Sequence, residues 1–293
     1  MVDSTFSSAF ENNFYLNTEF ITFCQKVTGI NKVMPFRDRY FILKDKNISI
    51  HTYNSEELKM MKEKNIKFFS VDLKNNDTEL NPSLMEYPIL FYKPYDLAYK
   101  RFDKTFRKYV GRADKLNFTT KILRKFNNEI ITDAYKLYLQ HMKRLNAFVF
   151  PKTFFELFIK LPSSLLFLVY DKNKLIGYSF CFENKDNLYT SIGAGHEDYF
   201  DKYINYKLYH EKIKYACKNK LNIHMGLGIK DSGYNNFKRR TGAICLKCSR
   251  NPENDKLLKR ALPLTKYTLI GLTSRFISRI LSKKVIFTMM PFT

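Results

Sequence analysis

LLFLVYDKNKLIGYSFCFENKDNLYTSIG, residues 165–193, decides the fold. Three apolar runs, Leu165–Tyr170, Leu175–Glu183 and Leu188–Gly193, are separated by two polar tetrapeptides, Asp171-Lys172-Asn173-Lys174 and Asn184-Lys185-Asp186-Asn187. Short apolar runs bounded by turn residues predict consecutive antiparallel strands. On the C-terminal side an amphipathic helix is expected over Tyr203–Asn219, with Ile204, Leu208, Ile213 and Ala216 on one face. A short strand Leu221–Met225, a Gly-rich loop and a last strand Ala243–Cys248 complete that half.

On the N-terminal side, Pro151-Lys152-Thr153 starts a helix that Leu161-Pro162 closes. Before it come a helix from Asn128 to Leu145 on Ile130, Ala134, Leu137 and Met142, and a strand Phe118–Ile122. A basic helix Phe102–Leu116 carries Lys104, Arg107, Lys108, Arg112 and Lys115. Strands are expected at Ile89–Tyr92 and Ile66–Leu73, the latter ended by Asn75-Asn76-Asp77. A helix over Ser55–Lys64 has Ser55 as N-cap and Leu58 and Met61 on its buried side. Arg39–Tyr53 reads as a hairpin turning at Lys44-Asp45-Lys46-Asn47, and the first dozen residues as loose. Antiparallel hairpins followed by a helical crossover describe an α/β (α+β) chain: a mixed sheet flanked by helices.

Fifty basic residues against 28 acidic ones give a net charge of +22. That balance suits polyanionic partners such as nucleic acid or an anionic membrane surface, and equally a solvated Lys-rich surface. Trp is absent, so the core rests on Phe, Tyr, Ile and Leu. Five cysteines without disulfide-scaffold spacing, and a start lacking a basic-then-apolar leader, point to a reduced, cytoplasmic setting. No apolar run reaches membrane-spanning length. The stretch Lys256–Thr293 differs in kind: eight basic residues and no acid are interleaved with Leu, Ile and Phe. It reads as a basic amphipathic tail, lying on an anionic surface or docked on the domain.

Several chemistries lack their residues. Cys245-x-x-Cys248 falls in an expected strand, where positions i and i+3 face opposite ways, and no second ligand pair accompanies it. No metal site is therefore expected. Gly226-Leu-Gly228 with Gly233 fails dinucleotide-loop spacing, and Walker A and GxSxG motifs are absent. The stretch 226–243, GLGIKDSGYNNFKRRTGA, is different. A strand ends in a Gly- and Asn-rich loop that presents Lys238, Arg239 and Arg240 behind Phe237. Cations on a loop beside a sheet end suit a phosphate or a developing oxyanion, or form a solvated basic loop.

Phe237-Lys238 with Gly242-Ala243 resembles the FK…GA signature of FemAB-like and BioF2-like acyltransferases, a branch of the GNAT superfamily. His141-Met-Lys-Arg-Leu145 with Pro151, Leu175-Ile-Gly177, Glu197-Asp198-Tyr199 with Asn205 and Leu208, and Phe106-Arg107-Lys108 with Arg112-Ala113 resemble further segments of that family in order. The resemblance runs from about Phe102 to Ser249. It departs where relatives often carry Asp and this chain has His224, and in lacking the Arg/Gln-x-x-Gly-x-Gly/Ala pyrophosphate loop. Lys108-Tyr-Val-Gly111-Arg-Ala113 is a near miss for that loop.

The resemblance implies a partial GNAT-like half in residues 1–118, a GNAT domain in 119–250 and the tail in 251–293. It implies transfer of an acyl or aminoacyl group to an amine acceptor. Acyl-CoA, acyl-carrier protein or aminoacyl-tRNA would be the donor, with no tightly bound cofactor. Lys238 would steady the oxyanion, with His224 and Asp231 as candidate bases. Arg144, Arg107, Tyr189, Tyr234, Asn236, Phe237 and Arg240 would bind substrate. Helix-end charges in water for Arg144 and Arg107, and a core or surface role for His224, are the competing readings of those residues. tRNA, or an anionic membrane under residues 256–293, are the expected partners at a cytoplasmic, peripheral location. The rival class is a non-enzymatic basic adaptor on the same shape.

Overall fold

The computed structural model describes residues 33–36, 39–42, 47–52, 67–71, 82–145, 149, 152–159, 161–226 and 228–251. Its elements in chain order are β1 (Val33–Phe36), β2 (Arg39–Ile42), β3 (Asn47–Thr52), β4 (Lys67–Val71), β5 (Pro82–Leu90), α1 (Tyr95–Arg101), α2 (Lys104–Asp114), β6 (Thr119–Leu123), α3 (Asn128–Leu145), α4 (Lys152–Phe158), β7 (Ser164–Asp171), β8 (Lys174–Asn184), β9 (Asn187–Gly195), α5 (Ile204–Lys218), β10 (Asn222–His224), β11 (Gly228–Ile229), α6 (Gly233–Arg239) and β12 (Ile244–Asn251).

The meander quoted above forms β7, β8 and β9, antiparallel in sequence order, with Lys172 and Lys185 at positive φ in its two turns. Beyond it lies one mixed sheet of ten described strands, ordered β3-β4-β12-β5-β10-β9-β8-β7-β6, with β11 also on β5. Strand β9 is joined through α5 to β10, which pairs with it in parallel. A parallel neighbour requires such a crossover, and the helix supplies it.

Helices cover both faces. On one, α3 and α4 lie over Leu166, Leu168, Tyr178, Phe180, Phe182 and Tyr189. Phe158 stacks on Phe180 and Phe182 at 4.8 and 5.1 Å between ring centroids. On the other face, α1, α2 and α5 bury Phe102, Phe106, Val110, Ile204, Leu208 and Ile213 against Leu165, Phe167, Val169 and Ile176. Consecutive residues of β7 and β8 thus serve opposite cores, which is why those strands read as unbroken apolar runs. In α3 the inward row is Ile131, Ala134, Leu137 and Tyr138; Ile130 and Met142 flank it half-buried.

Several expectations change. Arg39–Tyr53 does not close as a hairpin: β2 pairs with β1, and β3 pairs in parallel with β4, because strand partners are chosen across the chain. The basic helix expected over Phe102–Leu116 is α2, shorter at both ends, and a separate helix that the sequence reading did not foresee, α1, precedes it. Asp103 leaves the helix, caps α2 by accepting from the Phe106 N–H, and donates its own N–H to the Arg240 carbonyl. The strand expected at Ile89–Tyr92 begins earlier, at Pro82, and ends at Leu90. Described strands from before and after residue 118 lie side by side in the large sheet, with β5 between β12 and β10. The helix expected at Ser55–Lys64, the turn Asn75–Asp77, the first dozen residues and the tail 256–293 lie outside the described residues. No helix among the described residues is long and apolar enough to cross a membrane.

Candidate active site

The geometry of a cleft begins where β9 and β10 part. Their parallel pairing covers Asn187, Leu188 and Tyr189 opposite Asn222, Ile223 and His224, and ends there. The Thr190 hydroxyl donates to the His224 carbonyl as a last tie. Strand β9 then runs on while the chain after His224 turns towards β5, where Met225 N–H donates to the Pro88 carbonyl. In consequence Ser191 and Ile192 are half-buried and Gly193 is exposed, in the middle of an inner strand with helices on both faces.

Close to the end of β10 lies α6, the stretch expected to be a loop. Ser232 is its N-cap and accepts from the Asn235 N–H. Phe237 seats it against Phe106, Tyr206 and Tyr209, at 5.9, 4.9 and 4.9 Å between ring centroids. Asn235 is fully buried against Gly228, where a Cβ would collide with the Asn235 amide. Arg239 pairs with the buried carboxylate of Glu86 on β5. Gly242, at φ +80°, lets the chain leave α6 against Arg101, whose Cβ would be 2.7 Å from an added one. The FK…GA spacing is therefore that of a short helix plus its left-handed exit.

This packing turns Lys238 inward. It is 0% exposed, donates to the Gly226 carbonyl at 3.2 Å, and lies 4.0 Å from the Tyr234 ring centroid. No ion pair joins it among the described residues. Burial first, and then the like charge of Lys212, pull its ammonium down to about 7. Near neutral pH Lys238 is therefore close to its midpoint, and a nearby negative charge would favour its protonated form. Tyr234 covers it from solvent: the residue is 55% exposed, and its hydroxyl shares a 3.1 Å hydrogen bond with that of Tyr209 on α5.

The other expected residues divide. His224 and Tyr189 are buried and stacked, 4.3 Å between centroids. The His224 Nδ1 meets the Tyr87 hydroxyl at 2.9 Å and Nε2 meets Asn187 Oδ1 at 3.1 Å. Since the amide oxygen only accepts, Nε2 carries the proton and Nδ1 accepts from tyrosine. Both ring nitrogens are engaged inside the sheet, so His224 is a structural tie and not a base facing the cleft. Asp231, at φ +59°, has a 72% exposed side chain 3.5 Å from the Arg239 guanidinium. Its carboxylate faces solvent beside Arg239. Asn236 accepts from Arg239 and donates to the Asp231 carbonyl, holding the turn. Arg240 bridges Asp103 and the Tyr206 hydroxyl on the outer surface. Arg107 donates to the Lys100 carbonyl on that same surface.

Arg144 lies elsewhere, at the end of β9. Its guanidinium is over Phe200 at 4.8 Å, next to His141, Gly195 and Glu197. Lys108–Ala113 is interior helix in α2 and not a strand-to-helix turn, so it cannot cradle a pyrophosphate. The turn that does join β9 to the crossover helix, residues 196–203, carries Glu197, Asp198 and Asp201, all exposed.

Sequence reasoning missed Lys212. It occupies the inward i+4 row of α5 with Ile204, Leu208 and Ala216, and is 3% exposed. Its ammonium donates to Ser179 Oγ at 3.3 Å and lies 3.7 Å from the Tyr209 ring centroid. A lysine in an otherwise apolar i+4 row was the available signal. Asp114, His210 and Glu211 converge closely enough to hold a metal ion, but the Lys207 ammonium is already 2.8 and 3.1 Å from Asp114 and Glu211.

No protein-family model and no curated protein matches the chain. Solved structures do. One is FemX, with a TM-score of 0.61 and 14% identity over 88% of this chain and 96% of that one. The chain has a GNAT/FemAB-like fold. L-PGS from Bacillus licheniformis gives 0.57 at 10% identity, over 87% and 96%. A C-terminal domain of a putative lysylphosphatidylglycerol synthetase from Agrobacterium fabrum gives 0.52 at 10%, over 96% and 98%. Within this fold the parted strands β9 and β10 and the inward Lys238 form the candidate active site.

Proposed function

We propose that the chain is an acyltransferase that moves an aminoacyl group from an activated ester to an amine acceptor in the cleft between β9 and β10. The observation that carries this reading is Lys238: a buried ammonium without a carboxylate partner, beside an opened strand edge. A neutral amine attacks the carbonyl carbon, the C=O electron pair moves to oxygen, and the new oxyanion meets Lys238. In a dry site such a charge pair is worth far more than in water. Collapse re-forms the carbonyl and breaks the bond to the leaving oxygen, which departs with the proton lost from nitrogen. At neutral pH the arriving oxyanion favours the charged form of Lys238.

Two features favour an ester donor of the aminoacyl-tRNA class over acyl-CoA. The β9-to-α5 turn carries three carboxylates against one lysine, Lys202, where a pyrophosphate would need donors and net positive charge. A net charge of +22 suits a polyphosphate donor, with affinity that falls steeply with salt. One structural neighbour is itself named for lysylphosphatidylglycerol, a product carrying an aminoacyl group. The acceptor amine belongs to a peptide, amino acid or aminolipid head group. An adaptor reading puts its working cations in water, whereas Lys238 is sealed from it.

The test is turnover with a panel of aminoacyl-tRNAs, acyl-CoAs and acyl-carrier proteins offered with amine acceptors, beside native mass spectrometry for a retained donor. Lys238→Ala is expected to lose turnover while RNA binding and fold are kept. Turnover unchanged in Lys238→Ala, or salt-sensitive RNA binding with no transfer from any donor, removes the proposal.

A further inference from the structure

We infer that Lys212 holds a permanent oxyanion of the ligand, a carboxylate or a phosphate, beside the carbonyl that Lys238 serves. The inference rests on the transferase reading of the cleft and adds to it a required chemical group on the substrate.

Lys212 has no structural task that explains it. The row Ile204, Leu208, Lys212, Ala216 faces the sheet, and an apolar side chain there would pack without desolvating a charge. Among the described residues no carboxylate forms an ion pair with Lys212. Its polar contact is the Ser179 hydroxyl at 3.3 Å, and its other neighbour is the Tyr209 ring face. An ammonium has three donors, so donor capacity remains for a ligand. Cys181, the other ionisable group on β8 facing it, is held neutral because burial pushes its thiol up to about 11. Lys238 on α6 adds a second positive charge, and Tyr209 and Tyr234 contribute only neutral hydroxyls. Among the described residues, the charged groups named above as acting on Lys212 and Lys238 are positive or held neutral.

Lys212 also lies one side chain away from the strand opening. Ser179 on β8 pairs across to Gly193 on β9, the exposed residue at the strand opening. A Cβ on Gly193 would come within 3.2 Å of Ser179 Oγ and 3.0 Å of the Tyr178 carbonyl. Glycine therefore lets the exposed end of β9 lie directly against Ser179, the residue that Lys212 contacts. The Tyr209–Tyr234 hydroxyl bond separates two cation-bearing rings, Lys212 over one and Lys238 over the other. One ammonium meets a charge that develops, and the other a charge that the substrate brings with it.

Binding an anion here should recharge Lys212, which burial lowers to about 8. The direct test is NMR of the full chain labelled at lysine Cε, with the Lys212 signal assigned by its loss in Lys212→Met and, should that variant fail to fold, in Lys212→Arg. In anion-free buffer the signal is expected to titrate near 8. Inorganic phosphate or acetate should raise its midpoint by about one unit, a tenfold preference for the charged form. A shift with phosphate alone assigns a phosphate-bearing substrate, and a shift with acetate alone a carboxylate-bearing one. The Lys214 signal, from an amine half-exposed beside Glu211, should not move with either. A Lys212 midpoint indifferent to both anions overturns the inference, whatever Lys238→Ala does to turnover. Turnover surviving in Lys238→Ala, with Lys212 still responding, instead overturns the transferase reading beneath it.

Discussion

Replacing Lys238 by methionine should make the fold less sensitive to pH while keeping its shape. The buried ammonium titrates near 7 in the folded chain against 10.5 for a free lysine. Between those values the unfolded chain binds a proton that the folded chain does not. Stability therefore rises with pH across that window, and the penalty is fully present below about pH 7. From pH 7 to pH 9 this single group accounts for about 2 kcal/mol of rising stability. Lys212, at about 8 when folded, adds about 1 kcal/mol over the same range. In Lys238→Met the larger share disappears, and the smaller one shrinks because the like charge that Lys212 faces is gone. Urea denaturation followed by circular dichroism at pH 7, 8 and 9 reads this directly. The variant's advantage over wild type should fall by about 2 kcal/mol between pH 7 and pH 9. Parallel stability–pH curves for the two proteins would refute the claim that Lys238 is desolvated and unpaired.

Gly228→Ala should displace α6 through the Asn235 amide, costing about 1–3 kcal/mol of stability and, in the turnover assay, most of the activity. His224→Ala should lower stability by about 1–3 kcal/mol, because the Tyr87 hydroxyl loses its bond to the ring and Asn187 Oδ1 one of its two donors. It should leave the pH profile of any turnover unchanged, and a changed profile would return His224 to the chemistry. Phe155→Ala should cost about 3–5 kcal/mol in thermal denaturation, since its ring is fully buried against Tyr138, Tyr178 and Phe180. Deleting residues 256–293 should abolish low-salt co-sedimentation with anionic liposomes, if the basic tail is what meets a membrane; unchanged sedimentation assigns it no such role.

Much of the architecture was legible because it is encoded locally. The meander has its turns marked by Lys, Asn and Asp, and α3 and α5 have regular apolar rows, so their bounds differ little from those expected. Strand partnership was not legible: nothing in Arg39–Tyr53 says that β2 pairs backwards and β3 forwards. Helix α6 was hidden because Gly233, Asn235 and Asn236 have low helix propensity, and tertiary seating through Phe237 and Asn235 overrides it. The importance of Lys238 came from a resemblance of motif, and its inward direction came only from that hidden helix. His224 was misleading, because a histidine at a strand end looks the same in sequence whether its nitrogens face a cleft or a tyrosine and an amide. Lys212 could have been found as the one cation in an apolar row.

Strand β12 bears on how the chain comes into being. It is the last described strand to leave the ribosome, yet it lies between β4 and β5, two of the earliest. Until residues 244–251 emerge, both those edges stay open to misplaced partners, and α6, which immediately precedes β12, has no finished floor. Closing so distant a pairing is slow. A nascent chain stalled before Ile244 should therefore be a chaperone client, with its lysines still in water.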